Sequence, residues 1–215
     1  MGMMINRRRV MGGKNLPYDA EIEYLESSGT QYIDTDFVPL IGDSFHVELS
    51  CSAISTVNTL FNAGTGTYQL VVVLSQTGNQ FIRFFSSNSP YGRISLELNK
   101  WYTLDITAEG NVSFGGLTWK APPAEELDGN DTDLWLYKRH NLNNPFFGKI
   151  KNFIVERNGK SRLHLIPVRI GNVGYMYDKV SGRLFGNAGT GDFILGPDKN
   201  SVTIITQQQQ HEMYG

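Results

Sequence analysis

The sequence predicts an all-β fold in which two antiparallel sheets pack face to face. Short apolar pairs alternate with closely spaced turn residues between positions 165 and 197, which leaves almost no room for a helix. Apolar and polar residues also alternate with period two in several other segments. No helical pattern is long enough to connect parallel strands. Many short antiparallel strands of this kind are typical of a β-sandwich.

The clearest strand lies at positions 45–51. Phe45, Val47, Leu49 and Cys51 fall on one face of this strand, and the residues between them are polar. The strand is therefore predicted to be half-buried, with its apolar face toward the core. Because the only cysteine of the chain lies on that face, it is interpreted as a small buried hydrophobic residue rather than as a nucleophile.

Further strands follow along the chain, and turn residues separate them. Tyr102, Leu104 and Ile106 alternate with polar neighbours in a strand predicted at 101–106. The pair Asn158-Gly159 indicates a tight hairpin turn between two longer strands, because both residues accept positive φ angles. The other predicted strands lie at 68–74, 80–85, 93–98, 134–137, 148–156 and 162–168.

Length and composition favour one sandwich domain between two polar ends. The chain has 215 residues, 40% of them hydrophobic, and a net charge of −2. This near-neutral balance argues against a broad nucleic-acid-binding surface, since such surfaces show a basic surplus. No apolar stretch predicts a membrane span or an export signal. The predicted organisation is an N-terminal arm at 1–16, a sandwich at 17–198 and a polar tail at 199–215.

Motifs at both ends of the predicted sandwich carry a family resemblance. Positions 21–35 read EIEYLESSGTQYIDT, and positions 177–191 begin with YD and end with FGNAGTG. These motifs resemble the laminin-G/concanavalin-A-like domains of bacteriophage structural proteins and gut-bacterial surface proteins. The resemblance spans nearly the whole body of the chain. It implies a concanavalin A-like jelly-roll sandwich that acts as a recognition or decoration module.

The resemblance favours a non-enzymatic bacteriophage virion protein, such as a capsid decoration protein, a head fibre or a tail adhesin. The alternative is a lectin module that binds glycans at a bacterial cell surface, and a glycoside hydrolase ranks third. In the virion interpretation, the protein is assembled in the host cytoplasm and displays its sandwich toward host-surface glycans. Its termini, including Arg7, Arg8 and Arg9, then dock on other virion proteins and support a homo-oligomer such as a trimer.

Catalytic motifs are weak in this sequence. Glu21, Glu23 and Glu26 approach the carboxylate pattern of sandwich glycosidases, but the central aspartate is missing and Glu26 falls on the opposite face of a regular strand. These glutamates are therefore interpreted as charges that protect an edge strand. His46 and His164 are predicted on outward faces and have no partners in a catalytic motif. The sequence thus favours a binding protein over an enzyme.

A glycan site requires an aromatic platform for the apolar face of a sugar ring and polar side chains for its hydroxyl groups. Trp101 is predicted to lie opposite the apolar face of its strand. Tyr137 precedes a polar loop that contains Arg139 and Asn141. The predicted glycan-binding residues are Trp101, Tyr137, Arg139 and Asn141.

One acidic segment has the oxygen-rich composition that calcium prefers. Asp128, Asn130, Asp131 and Asp133 lie within six residues, but the glycine position and the missing terminal glutamate do not match an EF-hand loop. A turn capped by Asn and Asp side chains is the favoured interpretation. A calcium site is the alternative, and no other cofactor is expected.

Overall fold

The structure is a computed structural model that describes residues 16–54, 58–65, 69–74, 79–86, 91–93, 96–121, 132–140 and 143–199. For residues 69, 79–86 and 91–93 only the backbone is described. The predicted arm residues Arg7, Arg8 and Arg9 lie outside these ranges. The described residues form strands and no helix, so none of their segments is a helix that could span a membrane.

Seventeen strands are found in the described ranges, and most are short. They are β1 (Ala20–Glu21), β2 (Leu25–Ser27), β3 (Ile33–Asp34), β4 (Asp43–Cys51), β5 (Asn58–Ala63), β6 (Gln69–Leu74), β7 (Asn79–Ser86), β8 (Tyr91–Arg93), β9 (Trp101–Ile106), β10 (Asn111–Phe114), β11 (Leu117–Lys120), β12 (Trp135–Leu136), β13 (Gly148–Arg157), β14 (Lys160–Ile170), β15 (Val173–Asp178), β16 (Leu184–Phe185) and β17 (Ile194–Leu195).

The strands form a large sheet and a small sheet, and neighbouring strands are antiparallel. The large sheet has 11 strands in the order β11-β10-β9-β4-β13-β14-β15-β16, with β1 paired to β14 and with β2 paired to β13 and β17. The small sheet has six strands in the order β3-β12-β5-β6-β7-β8. One continuous apolar core joins the two sheets. The predicted fold class, an all-β jelly-roll sandwich of two antiparallel sheets, is confirmed.

The core follows from the period-two pattern of the inner strands. Phe45 on β4 and Phe153 on β13 both contact Phe61 of the small sheet, with ring centroids 5.6 Å and 5.2 Å apart. All three side chains are at most 2% exposed. Cys51 is buried, as predicted, and burial raises the pKa of its thiol to about 12. A thiol in this environment stays protonated at neutral pH and is a poor nucleophile.

Most predicted strands are confirmed, and one is largely wrong. The hairpin between β13 and β14 has the predicted geometry, because Asn158 and Gly159 take φ angles of 53° and 68°. The strand predicted at 93–98 is not continuous, since β8 ends at Arg93 and residues 96–98 are not in a strand. Asn99 takes a φ angle of 60°, and a turn leads the chain into β9 instead.

The two terminal motifs that carry the family resemblance pack against each other. The amide of Ala188 donates to the Tyr32 carbonyl oxygen, and the amide of Thr190 donates to that of Thr30. At Gly189, a Cβ atom would overlap the Thr30 carbonyl oxygen. Only glycine permits this close approach of two backbone segments. The motifs therefore have a structural role in closing the sandwich.

Candidate functional site

The outer face of the large sheet brings polar and aromatic side chains together. On β9, Trp101 and Thr103 are exposed, whereas Leu104 is buried. On β13, Lys149 and Lys151 are half-buried on the face opposite the core. The same alternation that builds the core therefore presents charged side chains and an indole ring together on the other face.

We call one part of this face the Trp101 patch, and it consists of Glu23, Tyr24, Trp101, Lys149, Lys151 and Lys199. Trp101 is 38% exposed, which confirms its predicted position opposite the apolar face of β9. The ring of Tyr24 lies 6.0 Å from the Trp101 ring, with an interplanar angle of 51°. The Nζ atom of Lys151 lies 4.6 Å from the Trp101 ring, and that of Lys149 lies 5.0 Å from the Tyr24 ring. These contacts hold both rings in defined orientations.

Two of the three lysines of the patch form ion pairs. The Nζ atom of Lys151 lies 2.9 Å from a carboxylate oxygen of Glu48, and that of Lys149 lies 4.0 Å from Glu26. Partial burial opposes ionisation of Glu48, but the hydrogen bond and the charge of Lys151 outweigh it, so the pKa of Glu48 is lowered. The hydroxyl of Ser52 donates to Glu26. The patch thus contains charges of both signs in fixed positions.

A depression of about 340 Å³ opens beside the indole of Trp101, and its lining includes Glu23, Lys151 and Lys199. This volume is at the lower end of the range for small-molecule sites, roughly 300–1,000 Å³. Carboxylate groups accept hydrogen bonds and ammonium groups donate them. The depression therefore offers an apolar surface next to several hydrogen-bonding groups.

The prediction that Tyr137 binds a glycan is wrong. Tyr137 is fully buried, and its hydroxyl donates to the carbonyl oxygen of Leu25 at 2.7 Å. Its ring packs against Phe146 and Phe193. The residue follows β12 in the small sheet and takes a φ angle of 70°, so its side chain turns into the core instead of continuing the strand alternation. Burial also raises its pKa well above the usual value.

Arg139, a further residue of the predicted glycan set, does not join Trp101. Arg139 is half-buried and follows β12 of the small sheet, whereas Trp101 lies on the outer face of the large sheet. Asn141 lies outside the described residues. The three predicted residues that are described therefore do not form one site, and among them only Trp101 belongs to the patch described above.

A second aromatic cluster, which the sequence analysis missed, lies at the β3 edge of the small sheet. The Trp135 ring stacks on His140 at 3.7 Å and lies 4.5 Å from the Tyr32 ring. The Nζ atom of Lys138 lies 4.9 Å from the Tyr32 ring. The backbone amide of His140 donates to the side-chain oxygen of Asn62. These rings are largely engaged with one another, so we assign this cluster to the packing of the edge.

Of the four residues predicted as calcium ligands, only Asp133 lies within the described residues. Its carboxylate lies close to those of Asp34 and Asp36, and one oxygen atom from each residue falls within 4.8 Å of the others. Asp36 is also paired with Arg183. Partial burial and the charges of Asp34 and Asp36 raise the pKa of Asp133. The calcium site at Asp128, Asn130, Asp131 and Asp133 stays a prediction.

The partial burial of His140 predicts that the stability of the protein depends on pH. Burial lowers the pKa of His140, and a hydrogen bond from its ring to the Asp133 carbonyl oxygen only partly offsets this effect. Protonation therefore favours the unfolded chain, whose histidines titrate near 6.5. We expect the urea midpoint to fall as the pH is lowered from 7.5 to 5.5. His140→Gln should reduce this fall; an unchanged pH slope in the variant would contradict the assignment.

Comparison with known proteins supports the fold. No protein-family model matches the chain, and a search of curated proteins finds no match in sequence. The structure is similar to that of a candidate carbohydrate binding protein from Bacteroides ovatus ATCC 8483, with a TM-score of 0.57 and 12% sequence identity. The likeness covers 83% of this chain and 61% of that chain, so this chain spans less than two thirds of its neighbour's length. At this identity the likeness shows a shared sandwich fold.

Proposed function

We propose that the protein is a non-enzymatic, lectin-like carbohydrate-binding module and that the Trp101 patch contacts the glycan. The observation that carries this proposal is the exposed indole of Trp101, which lies beside a depression lined by Glu23, Lys151 and Lys199. An aromatic surface next to fixed donors and acceptors matches a sugar ring, which has an apolar face and a rim of hydroxyl groups.

The geometry of the patch reduces the cost of binding. The contacts of Trp101 with Tyr24 and Lys151 already restrict its rotamer freedom in the unbound protein. The ion pair between Lys151 and Glu48 does the same for the lysine. Less conformational entropy is therefore lost when a ligand binds. Since Lys151 already lies over the indole, the sugar is expected to pack on the part of the ring that stays exposed.

The comparisons favour this proposal over the virion function expected from the family resemblance. The similar structure is that of a candidate carbohydrate binding protein, which fits the lectin alternative. Display on a phage particle or at a bacterial surface remains a prediction from the sequence. Three further features also remain predictions from the sequence: docking through Arg7, Arg8 and Arg9, contacts with other virion proteins, and assembly into a trimer.

A glycosidase is less well supported than a binding module. Each glutamate of the N-terminal segment lies in a different local setting. Glu21 accepts a hydrogen bond from the Tyr18 hydroxyl, and Glu26 accepts one from Ser52. Glu23 lines the depression at Trp101. These settings fit separate structural and binding contacts better than a pair of catalytic carboxyl groups.

Replacement of Trp101 by alanine should weaken glycan binding at least tenfold, because an aromatic platform at the centre of a site is a typical hot spot. Binding is measured by affinity electrophoresis and calorimetry against neutral polysaccharides (laminarin, xylan, galactomannan, starch) and acidic ones (polygalacturonate, alginate). Val173→Ala is the control, because Val173 is 48% exposed, lies on β15 and does not line the depression.

Two results would contradict the proposed function. The first is that the wild-type protein binds none of the polysaccharides at millimolar sugar concentration. The second is that it releases reducing ends from any of them, which would indicate hydrolysis. If both Trp101→Ala and Val173→Ala bind as the wild type does, the protein is a lectin whose site lies elsewhere, and the role of the Trp101 patch is wrong.

A further inference from the structure

A second part of the outer face of the large sheet has the features of a binding groove. One register row crosses six neighbouring strands on this face. Its members are joined pairwise as Cα partners, and five of the six have polar side chains. The row consists of Thr118, Ser113, Asp105, His46, Ile154 and His164, on β11, β10, β9, β4, β13 and β14.

Two depressions lie along this row and share part of their lining. One has a volume of about 600 Å³ and is lined by Ser44, His46, Asp105, Ile154 and Glu156, among others. The other has a volume of about 370 Å³ and extends from Asp105 over Ser113 to Thr118. Asp105 and Thr107 line both depressions, so the two lie next to each other. We call them together the transverse groove.

The transverse groove runs across the strands, and its length follows from strand spacing. It extends from β11 to β13, which are four spacings apart in the sheet. With about 4.8 Å between neighbouring strands, this gives roughly 19 Å. Such a length exceeds that of a single sugar ring. Trp101 lies four residues from Asp105 along β9, a distance of about 14 Å, so the groove is separate from the Trp101 patch.

A hydrogen-bonded pair lies at the centre of the groove. The Nδ1 atom of His46 is 2.7 Å from a carboxylate oxygen of Asp105, and the two side chains are 36% and 49% exposed. Because a carboxylate only accepts hydrogen bonds, Nδ1 is the donor, and Nε2 of the neutral imidazole is then an acceptor. The pair fixes the ring and offers acceptors to a ligand that carries hydroxyl groups.

The charges of the groove select against acidic ligands. Asp105, Glu109 and Glu156 contribute carboxylates to the lining, and no lysine or arginine is among the described residues that line it. A chain of uronic acids or sulfated sugars would therefore be repelled. The hydroxyl groups of Ser44, Ser113, Thr107 and Thr118 add donors and acceptors for an uncharged, hydroxyl-rich chain.

We propose that the transverse groove is a second binding site, which holds a linear segment of a neutral polysaccharide across strands β11 to β13. The inference rests on the proposed function, since it assigns a second site and a ligand class to the same lectin-like module. Two separate sites on one face would let the protein bind one long polysaccharide at two points. Such bivalent contact raises the apparent affinity for polymers above that for short oligosaccharides.

Three groove variants test the proposal against the polysaccharides named above. Ser113→Ile fills the groove at an exposed position without adding an aromatic ring, and Asp105→Ala removes the central carboxylate. Trp101→Ala/Ser113→Ile disables both sites. Asp192→Ala is the matched control, because Asp192 is an exposed aspartate that does not line either depression. Circular dichroism and thermal melts establish that each variant keeps the native fold.

We expect Ser113→Ile and Asp105→Ala to weaken binding of a neutral polysaccharide at least tenfold, with Asp192→Ala unchanged. The residual binding of Trp101→Ala should disappear in the double variant. If Trp101→Ala alone abolishes binding and the groove variants bind as the wild type does, the groove is not a site, whereas the proposed function stands. The groove proposal is also overturned if only acidic polysaccharides bind. If the wild type binds no glycan at all, the proposed function itself fails.

Discussion

Replacement of Arg157 by methionine should destabilise the protein by about 3–5 kcal/mol, the range found when one partner of a buried ion pair is removed. The guanidinium group of Arg157 contacts both carboxylate oxygens of Asp43, at 2.6 Å and 2.9 Å. The Asp43 side chain is fully buried. Methionine fills a similar volume but leaves this carboxylate without its cation. Urea unfolding at pH 7 measures the loss.

A second arginine in the same sheet provides the matched control. Arg169 also contacts both carboxylate oxygens of an aspartate, Asp198, at 2.7 Å and 2.6 Å. Its partner is 34% exposed, so water can solvate the carboxylate once the arginine is gone. Arg169→Met should therefore cost about 1 kcal/mol or less. The difference between the two variants isolates the effect of burial.

The charge of Asp43 is the reason for the expected loss, and a double variant tests that reason. Asp43→Asn in the Arg157→Met background removes the buried charge and should recover part of the lost stability. The amide oxygen of asparagine could still accept the hydrogen bond that the backbone amide of Leu40 donates to Asp43. If Arg157→Met costs no more than Arg169→Met, the pair does not contribute through burial.

Local pattern was sufficient to predict seven of the seventeen strands, including the three longest, β4, β13 and β14. The alternation at β4 and β9 required only the side-chain period of a strand, and the hairpin at Asn158 and Gly159 required only their tolerance of positive φ. The strand predicted at 93–98 had the same alternation, yet Leu98 is 52% exposed. The positive φ angle of Asn99 starts the path into β9, and sequence alternation contains no information on this angle.

The candidate site was predictable where it depends on strand alternation and not where it depends on loops. Trp101 is the first residue of the regular pattern of β9, and its exposure followed from that pattern. Tyr137 lies just past the end of β12, where a φ angle of 70° turns its side chain inward to bond the carbonyl oxygen of Leu25. Leu25 is 112 residues away in sequence. No local signal predicts a contact over that distance.

The transverse groove could not be predicted because it depends on strand order. Ser113, Asp105 and His46 are outward residues on three strands that are neighbours only in the folded sheet. The alternation of β4 and β9 indicated the outward positions of His46 and Asp105, whereas no strand was predicted around Ser113. Their alignment in one row requires the pairings of β10 with β9 and of β9 with β4, and these pairings are long-range features.

Replacement of Phe61 by alanine should cost about 3–5 kcal/mol, as for other large-to-small changes of a buried phenylalanine. Phe61 of β5 is fully buried and contacts Phe45 of β4 and Phe153 of β13, so it joins the small sheet to two central strands of the large sheet. The variant loses the apolar contacts of the ring and gains a cavity between the sheets. Urea unfolding followed by tryptophan fluorescence measures the effect.

The same variant separates stability from binding, because Phe61 lies on the opposite side of β4 and β13 from the Trp101 patch and the transverse groove. Under conditions in which Phe61→Ala remains folded, its glycan affinity should equal that of the wild type. Phe61→Leu keeps most of the volume and should cost less than half as much as the alanine variant. Equal losses for leucine and alanine would show that the aromatic contacts with Phe45 and Phe153, rather than the filled volume, connect the two sheets.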